Sequence, residues 1–239
     1  MELSIDTSTA FCAIAISQKG VTIKELSWDS KRNHSVELAP AIWSIMREIN
    51  IDPSDLETVF LAKGPGGFSS LRVGMSFAKA ISLSLGIPLV SIGTLDVEIK
   101  PYLPSKIPVY AMIKAASKSV YSINNLDPKA TVRVIDLEDI VNMTVSPTVF
   151  CGEAMIEIES DLIQNLGDLA IVKNKKGPTR SASTLASLAY EKLITCGGDN
   201  IDQLEPIYIS GAQFESAQRH SLNINPIKRI ENKERKHNE

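Results

Sequence analysis

The shortest stretch able to do chemistry is Asp6-Thr7-Ser8-Thr9, a carboxylate followed by three hydroxyls at the end of a β-rich run. Such an oxygen-rich set suits a hydrated Mg²⁺ and a phosphate tail, because Mg²⁺ takes oxygen ligands and keeps waters. The same residues also suit an Asx or Ser/Thr turn closing a hairpin. Four residues do not separate the two readings. A second candidate is Gly64-Pro65-Gly66-Gly67, directly ahead of a helical pattern. A helix N-terminus offers free N–H groups and a positive dipole end to an anion. Neither nucleotide fingerprint is satisfied: no lysine completes a phosphate loop, and Ser69 stands where a dinucleotide motif needs its third glycine. A tight turn against a neighbouring backbone explains the glycines without any ligand, and that is the preferred reading. The histidines are His34, His220 and His237, none paired at i, i+4. Cys12, Cys151 and Cys196 form no C-x-x-C pair. No metal centre and no catalytic acid, base or nucleophile elbow is expected, and His34 reads as a capping or surface residue.

These residues need elements to hold them. The pattern predicts three antiparallel strands at 2–29 and a helix over 34–49 containing Pro40. It then predicts a buried strand at 57–64, a helix over 68–85 stopped by Gly86, a strand at 87–93, and a short helix from Thr94. A proline-rich stretch at 102–108 reads as a boundary, after which the order restarts. Three strands fall at 109–136, a helix at 137–143, a strand near 150, a helix over 153–166, a strand near 171 and a helix over 181–194. A duplicated β-β-β-α-β-α unit predicts an α/β actin-like ATPase (ribonuclease H-like) fold with two similar lobes. Residues 1–104 form the first lobe, 105–226 the second, and 227–239 a charged tail.

The composition is that of a core-forming chain: 44 % hydrophobic, 22 % charged, net charge −3. A basic face for direct nucleic-acid capture is not expected. The N-terminus has no basic n-region, no apolar run reaches the ~20 residues of a membrane helix, and the cysteine pattern fits a reducing cytoplasm.

Both front-half helices carry too much apolar surface for one sheet-facing stripe, which needs little more than about 100°. On the first, Val36, Ala39, Trp43 and Met46 form one row, and Leu38, Ile42, Ile45 and Ile49 a second. On the other, Leu71, Met75, Ala78 and Leu85 share a side, with Gly74 and Ser82 interspersed and only Arg72 and Lys79 charged. An apolar patch on adjacent helices marks an interface. The alternative is a thick core in which the helices bury each other.

"LSIDTSTAFCAIAI", "HSVELAP", "GPGGFSSLRVGMSFAKAISLSLGIPLVSIGTLD" and "EPIY" (205–208) resemble the TsaB family, the bacterial accessory subunit of tRNA threonylcarbamoyladenosine synthesis. The likeness is strong over about residues 1–96, weak through the second half and brief at 205–208. It implies an actin-like scaffold that pairs with a TsaD-like catalytic subunit, joined by a TsaE-like ATPase and meeting tRNA only indirectly. The partner then modifies the adenosine next to the anticodon of ANN-decoding tRNAs. The resemblance places pairing on the first two helices, so Val36, Ala39, Ile42, Trp43, Met46, Leu71, Arg72, Gly74, Met75, Ala78, Lys79 and Ser82 are the expected interface. A homodimer through the same helices is expected when the partner is absent. Ile42→Glu or Ala78→Glu is then expected to abolish pairing while the lobe still folds. TsaD carries an H-x-x-x-H metal site, which this chain lacks.

Two departures stand out. Lys114-Ala115-Ala116 replaces the family's D-A-R segment, and Ser210 replaces its arginine after E-P-x-Y. An Asp near 114 holds phosphate and metal in nucleotide-using relatives of this fold. No cofactor is therefore required, and nucleotide with Mg²⁺ at Asp6, Thr7, Ser8 and Thr9 is a weak, vestigial expectation. An autonomous ATPase or phosphotransferase stands as the alternative, and a peptidase-like hydrolase as a third reading.

Overall fold

The computed structural model describes residues 1–31, 33–115, 119–127, 129, 131–173 and 179–209. The chain opens with β1 (Glu2–Asp6), β2 (Phe11–Gln18) and β3 (Val21–Asp29), followed by α1 (His34–Glu48). Next come β4 (Thr58–Ala62), α2 (Phe68–Leu85), β5 (Leu89–Ile92) and α3 (Thr94–Ile99). The order then repeats as β6 (Val109–Lys114), β7 (Ser119–Asn124), β8 (Arg133–Asp136) and α4 (Leu137–Met143). It closes with β9 (Thr148–Cys151), α5 (Met155–Leu166), β10 (Ala170–Lys173) and α6 (Ala182–Cys196).

Each half builds one five-stranded sheet, ordered β3-β2-β1-β4-β5 and β8-β7-β6-β9-β10. In both, the first three strands pair antiparallel and the last two join in parallel. Parallel neighbours need crossover connections, and α2 and α5 supply them. The duplication read from the sequence is therefore a duplicated topology. Alternation along the strands sorts side chains onto two faces. On the first sheet Leu3, Ile5, Ile14, Ile16, Val59, Leu61 and Leu89 meet Leu38, Ile42, Ile45 and Met46 of α1 and Met75 and Ala78 of α2. On the opposite face Phe60, Ala62 and Val90 meet Leu185, Ala186 and Ala189 of α6.

That last contact corrects the expected domain division. The helix assigned to the second lobe packs on the first sheet. Conversely, Leu95 and Ile99 of α3 pack with Val109, Ala111 and Tyr121 of the second sheet. Each half lends its last helix to the other, because β5 and β10 are edge strands whose following helices cross to the far sheet. The boundary at 104/105 separates the sheets but not the cores. The charged stretch 227–239 lies outside the described residues.

Local signals explain the helix ends. Gly86 takes φ +66° at the end of α2, where only glycine is unstrained. Ser181 caps α6, its hydroxyl accepting the Thr184 N–H at 3.0 Å, and Glu25 on β3 accepts the Ala182 N–H at 2.7 Å. Helix α3 opens at Thr94 as the sequence predicts, with Gly93 at its N-cap, and the Thr94 hydroxyl donates to Ser8 at 2.8 Å.

Candidate functional site

The Asp6–Thr9 stretch lies at the floor of the cleft between the two sheets, Thr9 lining the groove and Thr7 and Ser8 buried beneath it. Asp6 Oδ1 accepts the Ser8 N–H at 2.8 Å, an Asx turn. The Thr7 hydroxyl donates to the Ser70 carbonyl at 2.7 Å, and Thr7 and Ser8 are fully buried. Asp6 Oδ2 accepts Nε of Arg180 at 2.9 Å. Asp6, Thr7 and Ser8 are thus engaged with the protein itself, Asp6 in an Asx turn and an ion pair and Thr7 on the α2 backbone.

Arg180 is the centre of this floor. Its Nη1 donates to Glu98 Oε2 and to Glu153 Oε2, each at 3.1 Å, and its Nη2 donates to the Thr9 hydroxyl at 2.8 Å. Thr9 donates to Glu153 at 2.6 Å, and Thr179 to Glu98 at 2.9 Å. Burial works against the Arg180 charge, but Asp6, Glu98 and Glu153 outweigh it and hold the guanidinium well above its usual range. Burial pushes the Glu98 carboxyl above its ordinary value, against the pull of Arg180 and Thr179. Its other oxygen, Oε1, has no hydrogen-bond partner among the described residues. Among the described residues no group of three or more His, Cys, Asp or Glu side chains is arranged to hold a metal ion.

Sequence reasoning missed Arg180, Glu98 and Glu153. None belongs to a motif. The available signal was positional: Gly152-Glu153 follows β9 as Gly64-Pro65 follows β4, and Arg180 stands just ahead of a capped helix.

The glycine cluster sits beside the same turn. The Gly67 N–H donates to the Ser8 carbonyl at 2.7 Å, and a Cβ on Gly66 would overlap that carbonyl oxygen. The glycines therefore serve close backbone approach. His34 is neither cap nor surface residue, contrary to expectation: it is buried, with Nε2 2.8 Å from the Thr9 carbonyl. Lys114 points to solvent and pairs with Glu157 of α5. Ala116 and Ser210 lie outside the described residues. Burial pushes the Cys12 and Cys151 thiols far up, so both are inert in the folded chain.

The expected interface divides in two. Ile42, Met46, Leu71, Gly74, Met75, Ala78 and Ser82 are buried within the chain itself. They face the sheet because α1 and α2 direct one row each at Leu3, Ile5 and their neighbours. Gly74 abuts Thr7. Val36 and Trp43 are exposed (72 % and 52 %), Ala39 and Lys79 half-buried. Val73, Phe77 and Ile81 fill the seam between the helices and the core, so the helices bury part of the excess apolar arc themselves. Leu83 stands exposed further along α2. Arg72 is exposed but held: its guanidinium lies 4.1 Å over the Phe68 ring, and its Nε donates to the Tyr208 hydroxyl at 3.1 Å. The Phe68 and Tyr208 rings are 5.1 Å apart, and the Ile207 N–H donates to the Lys63 carbonyl at 2.8 Å. The two separated sequence signatures, "GPGGFSSLR" and "EPIY", thus meet in space. An open groove of about 950 Å³ runs beside them, lined by Thr9, Ser35, Phe68, Ser69, Glu153 and Ile156 among others.

Comparison with known proteins agrees with this architecture. The model of the family described as TsaD, tRNA N6-adenosine threonylcarbamoyltransferase, matches residues 26–159, more than half of the chain. The chain is 36 % identical over 94 residues to the Bacillus subtilis tRNA threonylcarbamoyladenosine biosynthesis protein TsaB. It is 38 % identical over 95 residues to the TsaB of Buchnera aphidicola subsp. Schizaphis graminum. These matches take in 39 % and 40 % of this chain and 41 % and 45 % of those proteins, less than half the length of either relative. A Christiangramia forsetii tRNA N6-adenosine threonylcarbamoyltransferase is 37 % identical over 82 residues, 34 % of this chain and 23 % of that protein. The solved YeaZ of Pseudomonas aeruginosa superposes with a TM-score of 0.67 at 19 % identity, covering 87 % of this chain and 99 % of its own. A second P. aeruginosa structure, of a protein described as similar to the peptidase YeaZ, gives a TM-score of 0.69, also at 19 % identity, and covers 87 % and 98 %. Identity this low speaks for the fold, which is actin-like. With its duplicated sheets and a model match across the lobe boundary, the chain belongs to the tRNA N6-adenosine threonylcarbamoyltransferase family, and it is similar to TsaB-named relatives.

Proposed function

We propose that this chain is a non-catalytic pairing subunit in threonylcarbamoylation of the adenosine next to the anticodon. It docks a TsaD-like catalytic subunit on the outer face of α1 and α2. A TsaE-like ATPase joins the pair, and tRNA is reached through the partner. The observation that carries this reading is the solvent-facing apolar set on those helices, led by Val36 and Trp43. Large apolar side chains clustered on an outer face favour a protein partner. The similarity to TsaB-named proteins supports the pathway. The chain's histidines offer no i, i+4 pair, and His34 is already bound to Thr9, which supports a non-catalytic role. An autonomous ATPase is the second reading. It is weakened because Asp6 is paired with Arg180 and Lys114 stands where a second carboxylate is needed.

The test is co-expression with a TsaD-like chain followed by size exclusion. The pair co-elutes, Trp43→Glu and Val36→Glu abolish it, and the isolated chain self-associates through the same face. Purified alone with ATP and Mg²⁺, the chain shows no turnover near ~1 s⁻¹. A complex that survives both substitutions overturns the docking face, and turnover at that rate overturns the non-catalytic reading.

A further inference from the structure

We propose that Arg180 is a latch that holds the two lobes together over the cleft without any ligand, by drawing carboxylates from both lobes onto one guanidinium. Its partners come from opposite sides. Asp6 ends β1 and Thr9 lies in the turn to β2, both on the first sheet. Glu98 is on α3, packed against the second sheet, and Glu153 follows β9. Arg180 itself immediately precedes α6, which covers the first sheet. The latch therefore sits where the two exchanged helices pass each other.

The charge balance makes the guanidinium necessary rather than decorative. Three carboxyl groups converge on one cation, and Glu98 and Glu153 share a single nitrogen. Without Arg180, Asp6 on one lobe and Glu153 on the other lose the cation that joins them, and the buried Glu98 loses its ion-pair partner. The exchanged helices α3 and α6 keep the lobes joined, so the relief available is a looser junction about those helices together with proton uptake by the carboxylates. Nucleotide-dependent proteins can close a cleft by binding a ligand between lobes. Here a side chain does so permanently, which keeps the orientation of α1 and α2 independent of nucleotide. The inference concerns the isolated chain and does not rest on the docking reading.

Spin labels at Ser69 and Ile156, on opposite lips of the groove, report the lobe separation in the full chain with Cys196→Ser as background. The parent gives one narrow distance distribution, unchanged by ATP and Mg²⁺. Arg180→Gln lengthens and broadens it. Glu153→Gln, a milder change at a half-covered arm, broadens it less and serves if Arg180→Gln does not fold. A folded Arg180→Gln with the parent's distribution overturns the latch. So does an unchanged distribution in Glu153→Gln, or a parent that narrows only on adding nucleotide.

Discussion

Glu98 on α3 is buried, and burial is the largest influence on its carboxyl. Its folded-state pKa lies above the reference value of 4.5, so the folded chain holds that proton more tightly than the unfolded one. The sign follows: the stability from this group is fully present below the unfolded value and is lost as pH rises through the raised one. Arg180 and Thr179 oppose the shift and Glu153 adds to it. Glu98→Gln removes the titration. Urea midpoints measured from pH 4.5 to about pH 8 should show the parent losing ground to the variant as pH rises; parallel profiles would rule out Glu98 as the group responsible. None of this was legible beforehand. Asp6 and Thr9 drew notice because a carboxylate beside hydroxyls is a recognisable set. Their partners at 98, 153 and 180 are isolated in sequence and converge only once both halves have folded.

At the scale of elements the sequence was more informative. Alternation and helical period located the strands and helices because each signal is local. Helix α2 runs Phe68–Leu85, as its glycine stop and apolar period required. Periodicity also showed that α1 and α2 carry an excess of apolar surface, but it mixed residues of both edges: Val36 and Trp43 stand outside, whereas Ile42, Met46, Met75 and Ala78 face the sheet. An arc near 180° has two edges, and only the sheet decides which is covered. Ala78 is fully buried and Trp43 half exposed, so the same substitution has unequal consequences. Ala78→Glu places an unpaired charge in the core and should cost roughly 3–5 kcal/mol of unfolding free energy. Trp43→Glu should cost less, about 1–2 kcal/mol for the covered half of the ring and its Arg47 contact. Denaturant titration of both checks this, and equal losses would mean that α1 is oriented otherwise. Neither Ala78→Glu nor Ile42→Glu spares the fold, because both positions face the sheet rather than solvent.

At the scale of the whole molecule, the duplicated topology was visible in the element order, but the exchange of terminal helices was not. Order along a chain does not say which sheet a connecting helix covers, and α3 and α6 are each close in sequence to one sheet and in space to the other. One consequence concerns synthesis. As the polypeptide leaves the ribosome, Phe60, Ala62 and Val90 are made early, yet Leu185, Ala186 and Ala189, which cover them, arrive only near the end. The amino-terminal half must therefore wait, with one greasy side bare, until almost everything described here has been translated. A fragment ending at 104 should be insoluble or bind a hydrophobic dye when expressed alone, and mixing in a separately made 105–239 piece should rescue it. A well-behaved, dye-silent fragment would mean that the front half matures without its late cover.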